Sequence, residues 1–484
     1  MAGPGTLTIS IHNTSLYPQL LSIHFQSLNQ DSKSKMPKNM DPNHVITIDQ
    51  EVETMTTQMK ESPKLLQKSA GKLSCCIFRV PQSLVEINKE AYKPRIVSIG
   101  PYHYGNEDLE MIQEHKWRFL NDMLTRTGKP LGFFMNIIVK MENDIRDSYS
   151  ESIDHFATND LAKMMVLDGF FLIELFRKVG KLVPTHGDDP IFKMGWVSPF
   201  LMRDLLKSEN QIPFFVLQKL FKESKHDKDT PTLQSLILEF FNYMVDRKKN
   251  VLEKYENEDG KHLIDFFRKS FINTKNRNPG SVNPTNENSV SPEETKNPSL
   301  KLIQPATKLG IAGVKFKANH QADSFLDIKF QKNGLLLIPQ INMDDFYSSF
   351  FLNCMAFEQC YFHCSKHITT YVVFMGCLMS TSADVEKLSH KKIIENYFGT
   401  DKEIAKFFKD VGKDVAFDIK NNYLKEAFVE INKYEKNGWH VQWAGFKHTY
   451  LSSPWAAISA IAGFMLISLA ALQTFFTVFP YYHK

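Results

Sequence analysis

The stretch LAKMMVLDGFFLIELFRKV, Leu161–Val179, decides how the centre of this chain folds. Apolar residues fill its middle almost continuously instead of following one side. A helix with this pattern is typical of the buried interior of a protein, because it has no polar face to turn towards water. The sequence therefore predicts a buried helix here, within a mainly helical first lobe that covers residues 44–272.

Further helices are predicted after this stretch. DLLKSENQIPFFVLQKLF, Asp204–Phe221, is the next candidate, and Pro213 inside it indicates either a break or the start of a fresh helix. The patterns of Leu233–Val245 and Leu263–Ile272 predict two shorter helices.

Composition changes sharply after the first lobe. Residues 273–300 are rich in Asn, Pro, Ser, Thr and Glu, so they cannot bury enough apolar surface to offset the entropy lost on ordering. They are predicted to form a disordered linker, and the poorly patterned residues 1–43 a poorly ordered extension. Beyond the linker, three short segments rich in β-forming residues predict a small β-meander: GVKFK (313–317), FLDIKF (325–330) and GLLLIPQI (334–341).

A second lobe, residues 301–453, then returns to helix. Phe350–Met379 is predicted to form one or two helices. Thr400 and Glu403 have the spacing of a capping box, in which each side chain binds the backbone N–H of the other residue. Apolar residues recur at steps of three and four over Ile404–Ile431, which predicts one long amphipathic helix. The predicted fold class is mainly α with a small β-meander, an α+β body.

The C-terminal stretch PWAAISAIAGFMLISLAALQTFFTVF predicts one transmembrane helix, residues 454–479. No Asp, Glu, Lys or Arg occurs from Thr449 to Tyr482. About 25 residues of helix, at ~1.5 Å each, reach farther than the ~30 Å hydrocarbon core of a bilayer. The residues expected to anchor it are Pro454, Trp455, Phe464, Leu466, Leu469, Leu472, Phe475 and Phe479.

The net charge of the chain limits its possible partners, and its N-terminal residues and cysteines indicate its cellular compartment. The formal net charge is +4 over 484 residues, which gives no argument for a nucleic-acid partner. The opening residues lack the basic region of a signal peptide, and six cysteines do not suggest a disulfide framework. We therefore expect a body in the cytosol and a single C-terminal span, in the plasma membrane before any other, with the bilayer and an unidentified protein as partners.

Two carboxylates are the best candidates for acid–base chemistry, since the chain contains no GxSxG, GxxxxGK[ST], HExxH or GxGxxG motif. Asp168 and Glu209 both lie in highly apolar segments, where burial raises the pKa of a lone carboxyl group. The alternative, which we favour, is that both bind backbone groups at helix breaks or pair with a nearby cation. His103, beside the Gly100–Pro101 turn, is the histidine best placed on a loop, although a role in stabilising the turn is the simpler interpretation.

The best metal candidates are Cys360, His363, Cys364 and His367. Offsets of three, four and seven residues would place all four on one face of a helix. Four ligands in a row along one helix cannot surround an ion, so two or three of them would need a further ligand from elsewhere. The simpler interpretation is a half-buried helix face, and we expect neither a metal nor another cofactor.

Several segments together resemble the plant DUF247 family, also called UPF0481. The matching pieces, in the order of the family, are IFRVPQSLVEINKEAYKPRIVSIGPYHYG (77–105), HKWRFL (115–120), MMVLDGFFLIELF (164–176), DLLKSENQIPFFVLQKLF (204–221), GVKFK, FLDIKF, AFEQC (356–360) and PW…IS…LQT near the C-terminus. The chain departs from the family at Ser208, where the family usually has an apolar residue, often Leu. A polar residue here predicts that the turn around Glu209 is less deeply buried than in other members. The resemblance implies a land-plant protein with a helical body and a C-terminal span, no assigned chemistry, and for some grass members an association with pollen–stigma self-incompatibility.

Two functions are compatible with these observations. The first is a non-enzymatic, membrane-anchored recognition or signalling protein that acts through protein contacts, for which the loop Gly187–Gly195 and the linker are candidate contact regions. The second is a membrane-tethered hydrolase that uses Asp168 and Glu209. A hydrolase requires both carboxylates to face one solvent-reachable pocket, about 5–10 Å apart.

Overall fold

The computed structural model describes residues 42–61, 74–225, 231–273, 301–397, 399–413, 415–436 and 454–482. The predicted extension, apart from its last two residues, and the predicted linker, apart from its first, lie outside these residues. Two compact units divide the chain, Met1–Leu73 and Ser74–Lys484. In the first unit the structure describes one helix, α1, Pro42–Glu61.

The second unit is mainly helical. Its helices before residue 273 are α2 Gln82–Val85, α3 Gln113–Thr127, α4 Leu131–Val139, α5 Glu142–Asp147, α6 Thr158–Val179, α7 Pro190–Lys193, α8 Val197–Asp204, α9 Phe214–Glu223, α10 Leu233–Val245, α11 Lys249–Leu252 and α12 Leu263–Lys269. Those after residue 301 are α13 Ala306–Ile311, α14 Asp345–Cys360, α15 His367–Leu378, α16 Ser382–His390, α17 Asp401–Val411, α18 Lys425–Lys436 and α19 Pro454–Tyr482.

Helix α6 is the buried helix that the sequence predicts. Every residue from Met164 to Lys178 is buried, because α3, α4, α9 and α10 pack around it. Gly169 permits the close approach of α9, since a Cβ there would meet the side chain of Leu220 in α9. The apolar residues on all sides of α6 are therefore explained by neighbours on all sides.

Pro213 begins a fresh helix. Helix α8 ends at Asp204, residues 205–213 form an irregular turn, and α9 starts at Phe214 with Pro213 as its N-cap residue. Proline is tolerated at this position because the N–H groups at the start of a helix have no acceptor within the helix, so the missing N–H costs no hydrogen bond.

The three predicted strands are present, but they do not form a meander. They are β1 Lys315–Ala318, β2 Lys329–Gln331 and β3 Leu335–Ile338, in the order β1-β3-β2. Strand β3 is antiparallel to β2 and parallel to β1. The physical reason is burial: β3 is apolar at every position, so it takes the centre of the sheet. A second, two-stranded parallel sheet pairs β4 Ile341–Met343 with β5 Ile394–Asn396, and the sequence patterns did not indicate it.

The long amphipathic helix predicted over Ile404–Ile431 is wrong as one element. Helix α17 opens with the predicted Thr400–Glu403 capping box and ends at Val411, with Gly412 at its C-cap. A separate helix, α18, starts at Lys425. The apolar spacing continues across the break because the intervening residues also pack on the core, which includes Leu424 and, partly buried, Val415.

Helices on both sides of residues 273–300 share one hydrophobic core. Helix α12, from before this segment, packs on α14, from after it. Rings from the two sides meet there, with the centroid of Phe267 5.4 Å from that of Phe350 and the centroid of Phe271 4.8 Å from that of Phe325.

Helix α19 coincides with the predicted transmembrane segment. In the part of the chain that the structure describes, no single helix is both long enough and apolar enough to cross a membrane; Ile461–Phe476 is a shorter apolar helical stretch.

Candidate functional site

Asp168 is a buried structural carboxylate on α6. Its Oδ1 lies 2.5 Å from Nζ of Lys116 in α3, and its Oδ2 accepts a hydrogen bond of 2.8 Å from the backbone N–H of Gly100. The Lys116 ammonium group also donates to the carbonyl oxygen of Ser98 at 2.5 Å. Asp168 and Lys116 together therefore hold residues 98–100 against the centre of the fold.

Glu209 lies nearer the surface, in the turn between α8 and α9. Its Oε1 accepts from the backbone N–H of Val80 at 2.8 Å, and its Oε2 from the guanidinium group of Arg79 at 2.7 Å. Nε2 of His103 lies 3.8 Å from the same Oε2. Arg79 in turn pairs with Glu151 at 3.0 Å, so Glu209 belongs to a half-buried ionic cluster.

Asp168 and Glu209 share no hydrogen-bond partner among the described residues. Each accepts a backbone N–H and each binds its own cation, Lys116 in one case and Arg79 in the other. This is the arrangement of side chains that position a backbone, and it is the alternative that the sequence favoured.

Asp204 at the end of α8 and Asn210 in the following turn bind backbone groups in the same way as Glu209. Oδ2 of Asp204 accepts from three successive N–H groups, those of residues 95–97, at 2.8, 2.8 and 3.3 Å. Oδ1 of Asn210 accepts from the N–H of Ile99 at 2.7 Å, while its Nδ2 donates to the carbonyl oxygen of Val97 at 3.1 Å. Asp204 and Asn210 thus clamp the backbone of residues 95–99.

Gly100 has a conformation and a location that exclude other residues. Its φ is +75°, and a Cβ there would overlap the carbonyl oxygen of Gln211. The backbone at residue 100 therefore approaches that of Gln211 so closely only because Gly100 has no side chain.

His103 ends the short 3-10 turn Pro101–His103, with 15% of its side chain exposed. Burial, together with the nearby positive charges of Arg79, Lys207 and Lys93, lowers its pKa to about 4. The imidazole is therefore neutral near pH 7 and too weak a base for efficient proton transfer there.

Ser208, the departure from the family pattern, is buried. Its N–H donates to Oδ1 of Asn353 in α14 at 2.8 Å, and its hydroxyl group donates to the carbonyl oxygen of the same residue at 2.9 Å. Nδ2 of Asn353 also binds the carbonyl oxygen of Ala91 at 2.8 Å. A polar pair therefore occupies the position where an apolar side chain is usual.

The four metal candidates do not lie on one helix. Cys360 is the last residue of α14 and His367 the first of α15, with the other two in the turn between them. His363 is exposed, whereas the ring of buried His367 stacks on Tyr423 at 4.7 Å. Among the described residues, no three His, Cys, Asp or Glu side chains are grouped to hold a metal ion.

The thiols in this region are poor nucleophiles. Cys76 and Cys360 line a small cavity together with His262. Burial raises the pKa of Cys76 to about 12 and that of Cys360 to about 11, so both remain protonated near neutral pH.

A buried ionic network joins the two sides of residues 273–300, and the sequence patterns did not identify it. Arg268 of α12 donates to Oε1 of Glu358 in α14 and to Oδ1 of Asp265, both at 3.0 Å, and to the carbonyl oxygen of Ser365 at 3.0 Å. Glu358 also accepts from two N–H groups at the start of α15, those of residues 368 and 369. The one sequence signal was the presence of these charges inside the apolar segments DFFRK and AFEQC.

The fold and these contacts define a class of protein: a helical α+β body whose polar motif residues clamp its own backbone. The model of the family DUF247, described as "Plant protein of unknown function", matches residues 77–469 of this chain. UPF0481 protein At3g47200 of Arabidopsis thaliana is 41% identical over 432 residues, covering 87% of this chain and 90% of that protein. Putative UPF0481 protein At3g02645 of the same plant is 22% identical over 513 residues, covering 88% and 94%.

The chain belongs to the plant DUF247 (UPF0481) family. No solved structure matches it.

Proposed function

We propose that this chain is a membrane-anchored plant protein that acts in recognition or signalling through contacts with other proteins. Helix α19 is the anchor, the body lies in the cytosol, and the plasma membrane is the first candidate membrane. The extension to pollen–stigma self-incompatibility rests on the family resemblance to some grass members alone.

The observation that carries the anchor is the exposure of apolar side chains around the middle of α19, in the part of the helix whose side chains the structure describes. The consecutive residues Phe464, Met465, Leu466 and Ile467 are 57–73% exposed. Successive residues of a helix point about 100° apart, so four in a row cover the whole circumference. A helix that is apolar all round requires an apolar environment. The apolar stretch Ile461–Phe476 is shorter than a full span, so the proposal also relies on the whole helix, whose 29 residues correspond to ~44 Å, and on the absence of Asp, Glu, Lys and Arg from Thr449 to Tyr482.

The non-enzymatic part of the proposal is supported by the state of the candidate catalytic groups. Asp168 and Glu209 are each bound to a backbone N–H and a cation. His103 is neutral because burial lowers its pKa to about 4. A hydrolase would need a carboxyl group free to transfer a proton, and none of the groups selected from the sequence meets this condition.

The anchor is tested with the full-length chain, carrying an N-terminal tag, expressed in plant cells. Leu466→Arg combined with Leu469→Arg should move the protein from the alkaline-carbonate-resistant membrane pellet to the supernatant. Each arginine near the centre of a span costs ~2.5–3.5 kcal/mol on insertion scales. Ile311→Arg is the matched control, because Ile311 is an exposed apolar residue of the body, 64% exposed.

The anchor is refuted if the wild-type chain is extracted by carbonate, or if the control variant is released as completely as the double variant. Protease treatment of intact protoplasts then tests the orientation. External protease should leave the tag and the body intact, and digestion of both in intact cells would place the body outside.

A further inference from the structure

A stack of aromatic and basic side chains covers one part of the surface of the second unit. The ring centroids of Trp196 and Phe200 are 5.9 Å apart, in edge-to-face geometry. The guanidinium carbon of Arg203 lies 4.4 Å from the Phe200 centroid, and that of Arg95 lies 5.6 Å from it. We call these four residues the Trp196 surface.

The Trp196 surface is accessible and positively charged. Trp196 is 47% exposed, and its neighbour Met194 also 47%. Arg95 and Lys93 are exposed, and among the described residues no carboxylate pairs with the guanidinium group of Arg95. Asp345 pairs with Arg203 at 3.1 Å, whereas Arg95 and Lys93 form no ion pair with the carboxylates of the described residues.

The backbone under this surface is fixed. The carboxylate of Asp204 accepts the backbone N–H of Arg95 at 2.8 Å, and Trp196 immediately precedes α8. In the loop Gly187–Gly195, buried Asp189 caps the N–H of Ile191 at 3.1 Å and pairs with Arg118 at 2.7 Å. Side chains on a fixed backbone lose less entropy on binding, which favours affinity.

From this geometry we propose that the Trp196 surface binds an acidic segment of a partner protein. An apolar side chain of that segment packs on Trp196 and Phe200, and its carboxylates pair with Arg95 and Lys93. This inference rests on the proposed function in that a protein partner is required, and it names the surface and the chemistry of that partner.

A protein segment fits this surface better than a nucleic acid or a lipid surface. Trp, Phe, Met and Arg are the residues enriched in the centres of protein interfaces, where Trp and Arg carry much of the binding energy. A nucleic acid would need a more extended basic tract, whereas the net charge of the whole chain is only +4.

The test measures binding of labelled synthetic dodecapeptides to the purified full-length chain in zwitterionic detergent, by fluorescence anisotropy. The probe contains Glu, Asp, Gly and two Phe. One control peptide, the Lys twin, has Lys in place of every acidic residue. A second control peptide, the Ser twin, has Ser in place of both Phe residues. The variants are Trp196→Ala and Arg95→Glu. Trp117→Ala is the matched control, because Trp117 is 43% exposed and has a lysine, Lys163, 5.4 Å from its ring.

We expect the acidic Phe peptide to bind, the Lys twin not to bind, and the Ser twin to bind more weakly. Trp196→Ala and Arg95→Glu should each weaken binding about tenfold or more, the range of interface hot spots, while Trp117→Ala stays within about twofold. Arg95→Glu keeps the test decisive even if Trp196→Ala fails to fold, because the Arg95 side chain is exposed.

The proposal is overturned if the acidic Phe peptide does not bind, or if Trp117→Ala weakens binding as much as the two test variants. It is also overturned if phosphatidylserine vesicles or oligo-dT bind with the same dependence on Arg95 and Trp196 and displace the peptide. Failure here leaves membrane anchoring untouched, because carbonate extraction measures that separately. Loss of anchoring likewise leaves peptide binding measurable.

Discussion

Replacement of Arg268 by methionine should strongly destabilise the body. Arg268 is 1% exposed and its guanidinium group donates to Glu358, Asp265 and Ser365, each at 3.0 Å. Methionine fills much of the same volume but supplies no charge and no donor. Two carboxylates would then remain in the interior without their main cation.

The size of the effect follows from the loss of a partner for a buried charge. Removing one member of a buried ion pair costs about 3–5 kcal/mol, because the remaining charge is left uncompensated. Asp265 keeps a second cation, Lys269 at 3.2 Å, so most of the loss falls on Glu358. Unfolding entropy is ~2.1 cal/mol/K per residue, or ~0.8 kcal/mol/K for about 400 residues, which converts ~4 kcal/mol into a fall of ~5 °C in Tm.

Thermal unfolding of the full-length chain in mild detergent, followed by circular dichroism, measures this shift. Adding Glu358→Gln to Arg268→Met should recover about half of the lost stability, since glutamine removes the unpaired charge and keeps an acceptor for the N–H groups that start α15. Lys254→Met is the matched control, as Lys254 pairs with Asp323 at 2.6 Å but both side chains are half-exposed, 52% and 49%, and it should leave Tm unchanged. The reasoning is refuted if Arg268→Met unfolds at the wild-type temperature, or if the double variant is less stable than the single one.

Three further substitutions test buried contacts of the body, each by urea unfolding. Gly100→Ala should cost about 2 kcal/mol more than Gly105→Ala; both residues have positive φ, but only at Gly100 does a Cβ meet another backbone atom. Equal costs would exclude the close contact as the cause. Burial lowers the pKa of His262 from 6.5 to about 4, so the unfolded chain takes up the proton first and stability falls as pH drops from about 6.5 towards 4. His262→Asn should flatten this fall, while His186→Asn, at an exposed position, should not; parallel curves for all three chains would contradict the assignment. Lys116→Met should cost about 3–5 kcal/mol by leaving a buried carboxylate unpaired, and a loss below about 1 kcal/mol would show that the pair does not stabilise the fold.

The local structure of this protein was predictable wherever neighbouring residues in the chain decide it. Buried α6, the fresh start of α9 after Pro213 and the capping box at Thr400 follow from apolar pattern and backbone chemistry. The end of α17 at Val411 did not follow, because the apolar spacing continues beyond it on residues that reach the core without being helical.

The contents of the candidate site were only partly predictable. The sequence selected Asp168 and Glu209 and favoured backbone binding for both, which is what their contacts with Gly100 and Val80 provide. The sequence could not identify the backbone groups that these carboxylates bind. Gly100 lies 68 residues from Asp168 along the chain, and Val80 lies 129 residues from Glu209. The metal arrangement proposed around Cys360 assumed one continuous helix, and the turn after Cys360 removes that geometry.

The sequence by itself determined the mainly helical α+β class, the family and the uncharged C-terminal helix, because these depend on composition and on the spacing of residues within single segments. Only the tertiary structure decided that β3 lies between β1 and β2, that Asp204 and Asn210 clamp residues 95–99, and that Arg268 joins α12 to α14. Each of these depends on which distant residues meet. These long-range contacts are determined by the burial of charges and backbone groups in a common core. A pattern within one segment of the sequence does not predict them.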